Sequence, residues 1–105
     1  MLIKGELDFS ELDYGRGRKL LWRACDYSFI PIISRLKHFS ARIVSITSSF
    51  EDEEVLLDYY FELNDKSCIV RLKTKDMKTD SIAPFFAESK FIEKEIASVF
   101  KVTFL

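Results

Sequence analysis

The chain has 105 residues, of which 48% are hydrophobic and 14% aromatic. That is one domain's worth of sequence, residues 1–105, and it argues for a folded globule with a core of its own rather than a disordered segment. Sixteen basic residues stand against seventeen acidic ones, so the basic excess of a dedicated nucleic-acid binder is missing.

The two cysteines, Cys25 and Cys68, are far apart and form no C-x-x-C pair. They read as buried thiols of a cytosolic protein rather than a disulfide framework or a zinc site. The beginning of the chain mixes Lys4 with Glu6 and Asp8 and does not read as a signal peptide. No run reaches the roughly 20 apolar residues that a membrane span needs. Any membrane association is therefore expected through a partner.

Met1 to Tyr14 reads as a short extended segment and an acidic turn. Gly15-Arg16-Gly17-Arg18-Lys19 reads as a solvated loop, because two glycines loosen the backbone and three cations hold it in water. Its rival reading is an anion or nucleic-acid contact. Leu20 to Asp26 is expected to be helical. Pro31 is tolerated only near a helix start, where its missing N–H has no partner to lose. With Ser28 as N-cap, a helix is expected from Phe29 to Lys37, burying Ile32, Ile33 and Leu36. His38 at its end is expected to cap the helix dipole rather than bind metal.

Three strands should follow. Ala41 to Ser49 is rich in β-branched residues (Ile43, Val44, Ile46, Thr47). Glu54 to Glu62 alternates, with Val55, Leu57, Tyr59 and Phe61 on one face. Asn64-Asp65-Lys66 is tight-turn chemistry. Ser67 to Thr74 alternates again, with Cys68, Val70 and Leu72 inward, and Arg71 and Lys73 placed to oppose Asp58 or Glu62. Lys75 to Ala87 is irregular, with Phe85 and Phe86 expected to anchor it to the core. Glu88 onward reads as an amphipathic helix with Ile92, Ile96 and Val99 on its buried stripe. After Phe100, Val102 and Phe104 alternate with Lys101 and Thr103 in a β-like ending. The expected fold is α+β: an antiparallel meander of three to four strands, one face covered by helices that include the C-terminal one.

The final helix carries the clearest motif. Phe91-Ile92-Glu93-Lys94-Glu95-Ile96-Ala97-Ser98-Val99-Phe100-Lys101-Val102 resembles the C-terminal motif of one small-subunit family, the C-type subunits of bacterial NADH:quinone oxidoreductase. It equally resembles the equivalent small subunit of membrane-bound energy-converting hydrogenases. That motif runs aromatic, Glu-Arg-Glu or Glu-Asn-Glu, aliphatic, variable, Asp, Leu or Met, Phe, Gly, Val or Ile. Upstream, Arg42 to Thr47 resembles the family's first strand, Tyr59-Tyr60-Phe61 its Tyr-His-Phe strand, and Ser67 to Lys73 its hydrophobic–Arg–Leu–Lys strand. Asp80 to Phe86 resembles the segment that leads into the motif. Ser98 stands where the family has Asp, Lys101 where it has Gly, and the proline before the helix is displaced to Pro84. The family's onward tail has no counterpart after Leu105, and the resemblance is therefore to a short, diverged member nearer the hydrogenase branch.

The resemblance implies a non-catalytic accessory subunit with no cofactor, metal or small-molecule substrate of its own. Its expected partner is the large redox or hydrogenase subunit of a membrane-associated oxidoreductase complex, reached from the cytoplasm. The alternative is a stand-alone regulatory or scaffold domain that kept the fold and lost the complex. The partner-contact candidates are Phe91, Glu93, Lys94, Glu95 and Phe100. On a helical wheel Glu95 lies about 60° from Ile92 and Glu93 about 100° to the other side, so both border the buried stripe. There they could form charge-assisted bonds to Arg35, Arg42, Arg71 or a partner's arginine, or else stand as solvated acids. An acid–base pair is not supported, since no histidine accompanies them. No Gly-x-Ser-x-Gly appears either, so nucleophilic catalysis has no motif. Trp22, Tyr59 and Tyr60 read as core or edge packing before interface anchors.

Overall fold

The structure is a computed structural model. It describes the backbone of residues 8–14, 17–24, 26–64 and 66–105, and the side chains of 28–64 and 66–105. Expectations placed on Met1 to Leu7, Gly15, Arg16, Cys25, Asp65 of the Asn64-Asp65-Lys66 turn and the Trp22 side chain lie outside the described residues.

In chain order the elements are β1 (Asp8–Tyr14), β2 (Gly17–Ala24), α1 (Asp26–His38), β3 (Arg42–Glu51), β4 (Glu54–Leu63), β5 (Lys66–Lys73), β6 (Lys78–Thr79), α2 (Ser89–Phe100) and β7 (Thr103–Phe104). The fold class is α+β. β3, β4 and β5 form the expected antiparallel meander, with Ile46 opposite Tyr59 and Tyr59 opposite Val70. β1 and β2 extend it to a five-stranded sheet in the order β1-β2-β5-β4-β3.

β2 corrects the expectation of a helix over Leu20 to Asp26, and it takes in Gly17, Arg18 and Lys19 from the expected loop. It pairs parallel to β5, Leu20 opposite Cys68 and Trp22 opposite Val70. A short apolar run such as Leu20-Leu21-Trp22 fits either period. Here an inner position between β1 and β5 decides it, because a strand paired on both sides satisfies its whole backbone. A parallel pair needs a long crossover, and α1 with the β3–β4 hairpin supplies it.

α1 starts at Asp26, three residues earlier than expected, so Ser28 is a buried helical residue rather than the N-cap. Pro31 lies within the helix on an exposed position. Phe29, Ile32, Ile33 and Leu36 bury against the sheet, and the Phe29 ring lies 5.0 Å from that of Tyr59. Arg35, Lys37 and His38 occupy the last turn, where cations favour the negative end of the helix dipole.

One sheet face carries the core. Ile43 and Ile46 of β3, Val55, Leu57, Tyr59 and Phe61 of β4, and Cys68, Val70 and Leu72 of β5 meet α1, Ile96 of α2, Ile82, Phe86 and Val102. The other face is wetter. Arg71, directly opposite Asp58, donates to both oxygens of that carboxylate, at 2.8 and 3.0 Å. Lys73 bonds neither Asp58 nor Glu62 but Asp52, at 3.0 Å.

The segment after β5 is more ordered than its composition suggests. Asp76 and Met77 both have positive φ in a tight turn closed by Lys75 and Lys78. The Glu54 carboxylate holds that turn by accepting the Asp76 and Met77 N–H groups and the Thr74 hydroxyl. β6 then pairs parallel with β7, so this end of the chain is tied down: Leu105 N–H donates to Thr79 O, and Ser81 N–H to Leu105 O.

Candidate partner-docking surface

α2 is the element on which the five candidates sit. Successive turns lead into it: the Phe85 and Phe86 N–H groups both donate to Ile82 O, and Ser89 N–H donates to Phe86 O. Ile82 and Phe86 are buried, and the Phe86 ring lies 5.1 Å from Phe61. Of the two expected anchors, Phe86 enters the core and Phe85 stays half-buried. At the far end Lys101 takes a left-handed conformation, φ 63°, and its N–H caps Ala97 O at 3.0 Å.

The buried face of α2 is not the expected Ile92–Ile96–Val99 stripe. Ser89, Glu93 and Ile96 are buried, Ile92 is half-buried and Val99 is 70% exposed. The helix is turned by about 60° from the expected orientation, at 100° per residue. The cause is Glu93. Only 5% exposed, it accepts the Ser81 hydroxyl at 2.6 Å and the Ile82 N–H at 2.8 Å, one on each carboxylate oxygen. A carboxylate can be buried when its oxygens are bonded, and these two donors draw residue 93 inward.

Arg42 and Arg71 are engaged elsewhere. Arg42 pairs with Glu62 at 2.6 Å and Arg71 with Asp58. Tyr59, buried on the sheet face below, has its phenol pushed above the ordinary range, first by burial and then by the charge of Glu93. Its hydroxyl and that of Ser89 have no hydrogen-bond partner among the described residues.

The rotation has a consequence for the outward face. Phe91, Lys94, Glu95, Ser98 and Val99 form one continuous arc that faces away from the core, with Phe91 78% exposed. Phe100 is half-buried, its ring 4.8 Å from that of Phe50. Of the five candidates, then, Phe91, Lys94 and Glu95 share the outward arc, Phe100 sits at its edge and Glu93 faces the interior. Sequence reasoning misses Ser81 and Val99. The Ser81 hydroxyl also accepts the Ala83 N–H at 3.1 Å, a local turn that serine favours, but such a turn carries no signal of the contact with Glu93. Among the described residues no three His, Cys, Asp or Glu side chains cluster as a metal site, and no helix is long and apolar enough to cross a membrane.

The two-layer architecture, a mixed sheet with both helices on one face, is shared with solved structures. Nqo5 of a trypsin-resistant fragment (1-134) superposes with a TM-score of 0.75 at 15% identity, covering 91% of this chain and 85% of that one. A chain of the membrane-bound sulfane sulfur reductase, an archaeal respiratory membrane complex, superposes with a TM-score of 0.78 at 14% identity. It covers 96% of this chain, which spans 63% of that one. No family model matches the sequence, and no curated protein does. At these identities the likeness is one of fold.

Proposed function

We propose that this chain is a non-catalytic accessory subunit that docks, through the outward arc of α2, on the large subunit of a membrane-associated complex. The complex is of the NADH dehydrogenase or energy-converting hydrogenase kind. The observation that carries this is the fold shared with the Nqo5 fragment over nearly the whole of both chains, joined to the motif resemblance of Phe91 to Val102. The likeness to a chain of an archaeal respiratory membrane complex supports the same class of partner.

In this arrangement Glu93 positions the docking element by fixing α2 to the 81–82 segment. Phe91 and Val99 supply apolar anchors, as exposed aromatic and aliphatic groups do at interface centres. Lys94 and Glu95 form a charged rim that sets orientation and encounter more than affinity. The protein works from the cytoplasmic side, reaches the membrane through its partner, and brings no cofactor and no small-molecule or nucleic-acid site. Affinity capture of the tagged chain from detergent-solubilised native membranes tests this. A redox or hydrogenase large subunit is expected to co-purify; a wholly free cytosolic pool would instead favour a stand-alone scaffold.

A further inference from the structure

α2 packs on β3, the outermost strand, and runs along it. Phe86, just before the helix, meets Phe61 opposite Ile43, and Phe100 at its end meets Phe50. The two flanks of α2 differ. Glu93 reaches the 81–82 segment, whose preceding residues Thr79 and Asp80 share a groove with Phe29 of α1, so that flank faces inward. Ile92 and Val99 lie about 100° and 120° round the helix from Glu93, both in the same sense, and so face outward past β3.

On the outer flank apolar groups stay in water. Val99 is 70% exposed and Ile92 half-buried. Phe50 is 65% exposed, although it lies on the covered sheet face opposite Val55 and its ring meets Phe100. Apolar surface rimmed by polar groups marks an interaction site, and here the rim is acidic. Glu95 lies one turn before Val99, and Glu51 and Glu53 follow Phe50 in the hairpin turn. All three are exposed, and none has a hydrogen bond or ion pair among the described residues. Asp52, between the last two, is already paired with Lys73. Against the three carboxylates stands Lys101, directly after Phe100, so the corner remains acidic; Lys94 lies about 140° round the helix from Val99.

We propose that this corner seats a basic amphipathic helix of the large partner subunit, laid along the outer flank of α2. Its apolar side chains rest on Ile92, Val99 and Phe50, and its lysines or arginines face Glu95, Glu51 and Glu53. This rests on the docking role of α2 and adds the chemistry of what docks there.

A helix fits because Ile92 and Val99 are seven residues, about 10 Å, apart along α2. That is the spacing of i and i+7 anchors on a helix running beside it. Basic residues fit because the three carboxylates are unpaired, so engaging them across an interface breaks no existing bond. An acidic segment would instead meet three like charges.

Photo-cross-linking in native membranes tests this, with Phe50→p-benzoylphenylalanine in one tagged full-length chain and Phe91→p-benzoylphenylalanine in another. Both are expected to join the large subunit. Peptide mapping of the position-50 adduct is expected to place it in a segment with apolar residues at helical spacing and an excess of lysine and arginine. Glu51→Lys/Glu53→Lys, at exposed sites and with folding checked by circular dichroism, is expected to recover at least roughly tenfold less of that subunit, because like charges then face each other. An adduct in an acidic or neutral segment, undiminished recovery by the lysine variant, or a cross-link from position 91 without one from position 50 would each overturn the basic helix and leave α2 as the docking element. No cross-link from either position would overturn both.

Discussion

The Ile82 N–H donates to the buried carboxylate of Glu93 at 2.8 Å, across eleven residues of sequence. With the Ser81 hydroxyl on the other oxygen, this contact sets the rotation of α2 and so decides which residues face outward. Glu93→Ala leaves a buried backbone donor without a partner and is expected to cost about 2–3 kcal/mol in denaturant unfolding. Glu93→Gln keeps one acceptor and can donate its amide to Ser81, so its cost is expected to be nearer ~1 kcal/mol. Equal, negligible costs for both would show that the carboxylate does not secure the helix.

Ile96 is the apolar side chain of α2 that is buried in the core. Ile96→Ala is expected to lose roughly 2–5 kcal/mol by chemical denaturation, whereas Val99→Ala, on the exposed arc, should stay within about 0.5 kcal/mol. The opposite ranking would restore the Ile92–Ile96–Val99 stripe as the packed face.

That contrast shows how far the residues alone reach. Period-2 alternation places Val55, Leu57, Tyr59, Phe61, Val70 and Leu72 correctly, because a strand buried on one face repeats every second residue. Ile32, Ile33 and Leu36 are legible for the equivalent helical reason. The orientation of α2 is not. Hydrophobic periodicity treats every glutamate as solvated, and nothing local announces that Ser81 and Ile82 will meet Glu93 through tertiary packing. β2 escapes a local reading because its parallel partner β5 lies more than forty residues away in the sequence. The outward candidates Phe91, Lys94 and Glu95 come from the motif resemblance, which matches residue types and carries no information on packing.

Glu54 titrates differently in the folded and unfolded chain, and this gives the protein an acid-side instability. Bonds from the Thr74 hydroxyl and then the Met77 N–H hold its carboxyl below the ordinary value of 4.5. A depressed folded-state value means that the stabilisation is present above the ordinary value and is lost as pH falls through the depressed one. Glu54→Gln should therefore flatten the acid limb of a melting temperature against pH curve while leaving the shape near neutrality unchanged. An unaltered acid limb would show that the Asp76–Met77 turn does not depend on this charge.

Lys101 occupies the left-handed position at the end of α2, where the resembled motif has glycine. A side chain there is strained by its Cβ. Lys101→Gly is expected to raise stability by roughly 0.5–1 kcal/mol in thermal or chemical melts, the relief of strain exceeding the added freedom of the unfolded chain. A loss of stability would mean that the lysine's conformation is held by contacts stronger than that strain.

The outward arc of α2 as a docking surface is tested most directly by quantitative affinity capture from native membranes. The comparison is between the wild type and Phe91→Glu/Val99→Glu, both sites being exposed. The wild type should recover a large redox or hydrogenase subunit, and the variant, folded and equally abundant, should lose most of it. Recovery of that subunit in equal amount by both chains, or by neither, would contradict the docking role.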